Sequence, residues 1–265
     1  MKPNRIREIW AKGGCALNAF LSIPSPFAAE VMAAQGYDGL IVDLQHGVID
    51  YMTAVGMFQA MQGTPVAPMA RVEWLDPIAI MKILDAGAYG VICPMVNTAD
   101  DAARLVSHTR YPPHGVRSFG PGRAVFSAGA DYGERAEDEI VVLAMIETAE
   151  AMENLDAIAA TPGLDGLYIG PADLTLGLTG RRYRIGFDRE EPEMITAIQR
   201  VLAVAHGAGK RAALHCGSVE YALRGKEWGF DMVTVSNDVR LMAGAAAASV
   251  QAFRNGQAKS FDGSC

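Results

Sequence analysis

Two acids, Glu147 and Asp173, carry the clearest chemical signal in the chain. Each lies at or just past the end of a short apolar run: Val141-Val-Leu-Ala-Met-Ile-Glu147 and Gly166-Leu-Tyr-Ile-Gly-Pro-Ala-Asp173. Apolar runs of this length, separated by helix-like segments, read as buried parallel strands. An acid beyond the carboxyl end of such a strand stands where α/β barrels carry out chemistry. Two carboxylates from consecutive strands would make a hard-cation site for Mg²⁺ or Mn²⁺, with positions left for water and substrate. Taken singly, each is also accounted for as a helix cap or a first-turn acid.

Other polar residues fall at the same ends of other runs. The second finishes at Asp43-Leu-Gln-His46-Gly47, the third at Met69-Ala-Arg71-Val72, the fourth at Cys93-Pro-Met-Val-Asn97 and the seventh at His215-Cys-Gly217. His46 is the group best able to trade protons near neutral pH, and the Asp43 carboxylate is placed to orient it and raise its basicity. Arg71 offers fixed charge and planar donors to a carboxylate or an enolate oxygen. Gly170, Pro171 and Ala172 lead through Asp173 into a turn at Leu174-Thr-Leu-Gly177. Free backbone N–H groups there are expected to cradle a substrate carboxylate. Together these parts suit aldol addition or cleavage: a 2-oxoacid chelated by its keto and carboxylate oxygens, an enolate held by Arg71, and a His46/Asp43 pair moving the proton. A Schiff-base mechanism needs a buried strand lysine, and lysines 2, 12, 82, 210, 226 and 259 all fall on helices, loops or termini.

The elements that must position these residues follow a simple alternation. Strand-like runs are read near 15–22, 38–44, 67–72, 90–96, 141–147, 165–170, 211–216 and 231–236. Helix-like segments are read near 26–35, 51–62, 77–86, 98–108, 148–160, 189–208, 218–228 and 239–254. Gly36, Gly87, Gly163, Gly209 and Gly229 stand near the helix ends, where a left-handed cap is wanted. Eight such units in 265 residues predict one (β/α)8 TIM-barrel domain spanning 1–265. An open doubly wound sheet is the competing architecture, but no GxGxxG or Walker A sequence accompanies it. Arg110–Glu139 interrupts the rhythm; it is too long for an ordinary connection and too rich in Gly, Pro and Arg for a core helix. Its Arg117 and Arg123 are candidates to meet an anionic substrate or a neighbouring subunit. Gly177–Pro192, with Arg181, Arg182 and Arg184, reads as an exposed loop.

Half the residues are hydrophobic, enough for a sizeable core, and the net charge of -7 argues against nucleic acid as a partner. Cysteines 15, 93, 216 and 265 form no CxxC pair and read as free thiols in a reducing compartment. No apolar segment follows the charged N-terminus and no 18-residue apolar stretch occurs, so a cytoplasmic protein without a membrane partner is expected.

Asp43-x-x-His46-Gly, Met69-Ala-Arg71-Val, Gly90-Val-Ile-Cys-Pro-Met-Val-Asn-Thr98, Arg110-Tyr-Pro-Pro-His-Gly-Val-Arg117, Ile146-Glu-Thr148 and Tyr168-Ile-Gly-Pro-Ala-Asp-Leu174 resemble the HpcH/HpaI aldolase family from about residue 5 to 254. The resemblance implies a class II pyruvate aldolase on a TIM barrel, dependent on a divalent metal ion (Mg²⁺, Mn²⁺ or Co²⁺). It implies His46 as catalytic base with Asp43 beside it, Arg71 stabilising the enolate, and Glu147 and Asp173 as metal ligands. It implies a backbone N–H from Ala172 to the pyruvate carboxylate, and a homohexamer that exchanges a C-terminal helix, here near 239–254. Asp85 matches an acid that tunes the histidine; at a helix C-terminus it could act only from a neighbouring subunit. Two positions depart from the family pattern. Gln45 stands where Glu is common, and Met145 where some members place a substrate-contacting Gln. Met145, Phe119 and Phe126 then point to a pocket less polar than a diacid semialdehyde would want. Two alternatives share the metal core: a malyl-CoA or citryl-CoA-type lyase, kept open by the arginines at 117–123 and 181–184, and a non-catalytic metal/2-oxoacid-binding protein.

Overall fold

Strand runs buried on both faces can satisfy their backbone N–H and C=O groups only against one another. In the computed structural model, which describes residues 1–256, they do so as β1 (Ala16–Leu21), β2 (Gly39–Asp43), β3 (Ala67–Arg71), β4 (Gly90–Cys93), β5 (Val141–Ile146), β6 (Gly166–Ile169), β7 (Arg211–Cys216) and β8 (Met232–Asn237). Each pairs in parallel with its sequence neighbours, and β8 pairs back on β1, so the eight strands close a barrel with no free edge. The expected strands and the TIM-barrel architecture stand.

The helices are α1 (Arg5–Ala11), α2 (Pro26–Ala33), α3 (Tyr51–Met61), α4 (Pro77–Asp85), α5 (Ala99–Thr109), α6 (Ala124–Ala128), α7 (Tyr132–Glu139), α8 (Ala149–Glu153), α9 (Leu155–Ala159), α10 (Pro171–Thr179), α11 (Pro192–Gly207), α12 (Val219–Trp228) and α13 (Asp238–Arg254). Their starts are written locally: the side chains of Ser25, Asp50, Asp76, Thr98, Thr148, Ser218 and Asn237 each accept a first-turn N–H. Gly229, at φ 103°, supplies the left-handed residue that ends α12. One apolar cluster fills the space between strands and helices. A second fills the barrel interior, with Phe20, Ile41, Met69, Leu143, Met145 and Tyr168 among its members.

Several elements differ from the sequence reading. Helix α1 lies outside the βα rhythm and closes the N-terminal end of the barrel: Ile6 and Trp10 join the interior cluster, and Trp10 Nε1 donates to the Asp231 carbonyl at 2.9 Å. The 148–160 segment is broken at Asn154 into α8 and α9. The expected turn at Leu174 is instead the interior of α10, whose first position is the helix-compatible Pro171. The 110–139 interval holds α6 and α7 and wraps the bottom of the barrel. Cys15, Cys93 and Cys216 are free thiols, and Cys265 lies outside the described residues. Among the described residues no helix is long and apolar enough to cross a membrane.

Arg117 is buried rather than free for a substrate. Its Nη2 donates to Asp85 Oδ1 at 2.6 Å and to the Tyr132 hydroxyl at 3.1 Å, and its guanidinium lies 4.5 Å from the Tyr111 ring centre. Arg123 is half-buried and tied to the Ala86 carbonyl and to Gln62. Helix α4 returns from the mouth to the N-terminal end, so Asp85 at its close is a partner of Arg117 there. Burial raises the Asp85 carboxyl above its ordinary range, and Arg117 opposes that rise. Replacing Arg117 with Leu should leave this half-buried acid without its partner and cost about 1–3 kcal/mol of stability. Urea denaturation of the two proteins measures the difference, and a loss below about 1 kcal/mol, the value of an exposed pair, would overturn this assignment.

Candidate active site

The carboxyl ends of the strands surround a cavity of about 470 Å³. Asp43 and Arg71, register partners on β2 and β3, both line it. Arg71 Nε donates to Asp43 Oδ1 at 2.8 Å and Nη2 to Oδ2 at 2.7 Å, a two-pronged pair with both residues buried. Asp43 Oδ1 also accepts the backbone N–H groups of Gln45 at 3.2 Å and His46 at 3.3 Å. Asp43 therefore holds the turn that carries His46, while its carboxylate faces Arg71. This corrects the expected contact between Asp43 and the imidazole. His46 itself is exposed and lines the cavity. Gly47 is required in this turn, because a Cβ there would collide with the Asp43 carbonyl and lie 3.2 Å from Ser22 Cα.

Glu147 follows β5 and is 3% exposed. Its Oε1 accepts the Met95 N–H at 2.8 Å. Met95 adopts a φ of 55°, unusual for a side chain of its kind, and this left-handed turn aims its N–H at the acid. Gly170 leaves room on the other side: a Cβ there would stand 2.6 Å from Glu147 Oε2 and 2.6 Å from Met145 Cε. Burial pushes the Glu147 carboxyl up to about 7; the Met95 N–H pulls it down, Asp173 pushes it up and Arg71 pulls it down. A buried acid facing a second, exposed acid fits a divalent cation, which would relieve both the burial and the repulsion. Among the described residues no third His, Cys, Asp or Glu joins them, so most positions of an octahedral ion would be open.

Asp173 sits in the first turn of α10, capped by no side chain at Gly170. Pro171 has no N–H, so the free donors of this helix start are those of Ala172 and Asp173, both beside the cavity. Pro171 is buried and sets the backbone; Met145, 3% exposed, is part of the wall.

The walls contain residues to which sequence reasoning gave no role. Phe20 and Phe187 face the cavity, whereas Phe119 and Phe126 are exposed elsewhere, a correction to the expected aromatic wall. Phe187 comes from the loop after α10, where no periodicity marks a buried position. His215, read only as a strand-end residue, lines the cavity with its ring buried; burial and then Arg71 push its pKa down to about 3. Asp85, Arg117 and Arg123 lie outside the cavity. The arginines near 181–184 are also not part of it: Arg182 pairs with Glu193 at 2.8 Å.

A family model described as HpcH/HpaI aldolase/citrate lyase matches residues 17–243. The chain is 42% identical to the hydroxypyruvate/pyruvate aldolase of Rhizorhabdus wittichii, over 92% of this chain and 96% of that protein. It is 35% identical to the 4-hydroxy-2-oxo-heptane-1,7-dioate aldolase of Shigella flexneri, over 95% and 94% respectively. A solved HpcH/HpaI aldolase/citrate lyase family protein from Burkholderia cenocepacia superposes with a TM-score of 0.85 at 32% identity, covering 94% of this chain and 98% of that one.

The Glu147 proton has a definite sign of effect. The carboxyl binds it more tightly folded, at about 7, than at its ordinary 4.5. The folded metal-free protein is therefore favoured on the acid side, and this contribution, on the order of 3 kcal/mol, is lost as pH rises from the lower value through the upper. Cation affinity should run the other way, falling about tenfold per pH unit below the upper value. Denaturation and Mn²⁺ titrations across this range, on wild type and Glu147→Gln, check both trends. A variant with the wild-type pH slope of stability would show that another group is responsible.

Proposed function

The chain belongs to the HpcH/HpaI aldolase/citrate lyase family and is an aldolase-type carbon–carbon lyase, and we propose that it makes or cleaves 4-hydroxy-2-oxoacids. The partners in this reading are pyruvate, or a related 2-oxoacid such as hydroxypyruvate, and an aldehyde. The observation that carries it is the nearness of buried Glu147, behind Gly170, to Asp173 and the clamped Arg71, both of which line the cavity.

Glu147 and Asp173 are the residues to hold a divalent cation, and their all-oxygen character suits Mg²⁺ or Mn²⁺. Once bound, such an ion supplies the charge that acidifies the carbon beside the keto group. The Ala172 and Asp173 N–H groups, at the positive end of α10, receive the substrate carboxylate. Arg71 cannot swing away, because Asp43 holds two of its donors. Its charge is therefore preorganised for the enolate oxygen, and no reorganisation is needed as that charge develops. His46, exposed on its turn, exchanges protons with solvent and serves the aldehyde oxygen. In the synthetic direction a proton leaves the carbon beside the keto group, that carbon bonds to the aldehyde carbon, and the aldehyde oxygen takes up a proton. Cleavage reverses each step. Asp85 takes part in this chemistry only as an acid presented by a neighbouring subunit. Helix α13, with Leu241, Met242, Val250 and Phe253 exposed, supports the homohexamer and its exchanged C-terminal helix. The buried Arg117 and the anchored Arg123 take one of the two arginine stretches away from a CoA-dependent lyase, leaving only the exposed arginines at 181–184 for that alternative.

Pyruvate in D₂O should lose its methyl proton signal with the Mg²⁺-loaded protein and keep it after EDTA. Replacing His46 with Ala should lower aldol turnover by about 10²–10⁴-fold while leaving Mn²⁺ affinity intact. Turnover unchanged in that variant would sink the proton-transfer role, and no exchange with any divalent ion would sink pyruvate as donor.

A further inference from the structure

His215 is a buried polar group facing the cavity for which the chemistry above has no use. Its ring meets Phe20 edge-on, with centres 4.9 Å apart, and packs against Phe187 at 4.3 Å. Nδ1 is 3.0 Å from the Tyr168 hydroxyl, and that hydroxyl donates to Thr234 Oγ1 at 2.9 Å. Tyr168 and Thr234 are both fully buried, so water does not compete for these bonds. Tyr168 has one hydroxyl proton. Given to Thr234, it leaves the Tyr168 oxygen as the acceptor of a proton on Nδ1, and Nε2 then carries only a lone pair. Among the described residues only Nδ1 of this ring has a hydrogen-bond partner, and the residue lines the cavity, which leaves Nε2 for a ligand there. The ring also remains neutral at working pH, for the reasons of burial and the Arg71 charge given above.

A lone pair in this position discriminates by chemistry. Keto, aldehyde and carboxylate oxygens are acceptors only and gain nothing from it, whereas a hydroxyl group donates to it. An apolar side chain would fill the same space among Phe20 and Phe187 without leaving a polar atom unpaired, which costs about 1–3 kcal/mol. We propose that His215 is a specificity residue that accepts a hydrogen bond from a substrate hydroxyl, with Tyr168 and Thr234 positioning the ring. The hydroxyl is carried either by the 2-oxoacid, as in hydroxypyruvate, or by the aldehyde, as in a hydroxyaldehyde. This assignment rests on the aldolase reading above.

The test uses the Mg²⁺-loaded full chain with pyruvate or hydroxypyruvate as donor and acetaldehyde or glycolaldehyde as acceptor. His215→Leu should lower kcat/KM by about 10–100-fold for the pairs whose hydroxyl is read. It should change the pyruvate–acetaldehyde pair by less than about 3-fold, well within the value of one hydrogen bond. The donor or acceptor series that falls identifies the source of the hydroxyl. Tyr168→Phe should weaken the same pairs through KM while sparing pyruvate with acetaldehyde, and His215→Gln, which restores an acceptor, should recover part of the loss. An equal fall for all four pairs, or no fall, would overturn the proposal. Titrating each hydroxylated compound and its unhydroxylated counterpart against protein labelled with ¹⁵N at histidine separates this from the aldolase reading. A shift of the His215 Nε2 resonance with a hydroxylated compound alone supports the residue even without turnover, and its absence with both overturns it. Wild type that binds but does not turn over pyruvate with acetaldehyde counts against the aldolase reading alone.

Discussion

The pair formed by Asp43 and Arg71 is the constraint on which the rest of the mouth depends. Parallel register brings the last residues of β2 and β3 side by side, and the two-pronged geometry locks both side chains. The same carboxylate gathers the N–H groups of Gln45 and His46, so the turn presenting His46 is tied to the charge state of the pair. Arg71 also reaches outward. Its guanidinium lies 4.8 Å from the Phe20 ring centre, lowers the proton affinity of Glu147 and disfavours a proton on His215. One guanidinium thus acts on an acid, an imidazole and an aromatic ring that come from three other strands or their ends, β5, β7 and β1.

Glu147 and His215 show how burial prepares opposite groups for different work. Removal from water penalises the charged form of each, so the acid holds its proton up to about 7 and the imidazole loses its own near 3. For the acid, this is stored demand for a cation, made larger by Asp173. For the imidazole, it secures a neutral hydrogen-bonding group beside a permanent positive charge. The Met95 N–H keeps one Glu147 oxygen engaged and leaves the other beside Gly170, so orientation does not depend on what the site binds.

Stability and chemistry occupy opposite ends of the barrel, as parallel βα units allow. At the N-terminal end, Asn4 is buried: its amide donates to the carbonyls of Tyr89 and Glu139, and its backbone N–H reaches the Glu139 carboxylate at 2.7 Å. Trp10 and Arg117 complete that floor. These contacts join residues far apart in the chain, which is why α1 and the 110–139 excursion carry no local signature of their importance.

Strand positions, most helix boundaries and the residues at the mouth were legible in the sequence because they depend on short-range chemistry. Apolar run length, capping side chains at Ser25, Thr98 and Ser218, and left-handed glycines such as Gly229 act within a few residues. Regular alternation then dictates a barrel, and the barrel sends every strand end to one face, so Asp43, Arg71, Glu147 and Asp173 could be gathered without coordinates. What each side chain touches was decided only by tertiary packing. Asp43 chooses Arg71 over the His46 ring because strand register places a guanidinium, not an imidazole, beside it. Arg117 and Asp85 neutralise one another because the 110–139 segment folds under α4. Phe187 and His215 enter the cavity because a loop after α10 closes over β7, bringing the rings to 4.3 Å. Those outcomes turn on distances between residues remote in sequence, and no local pattern encodes them.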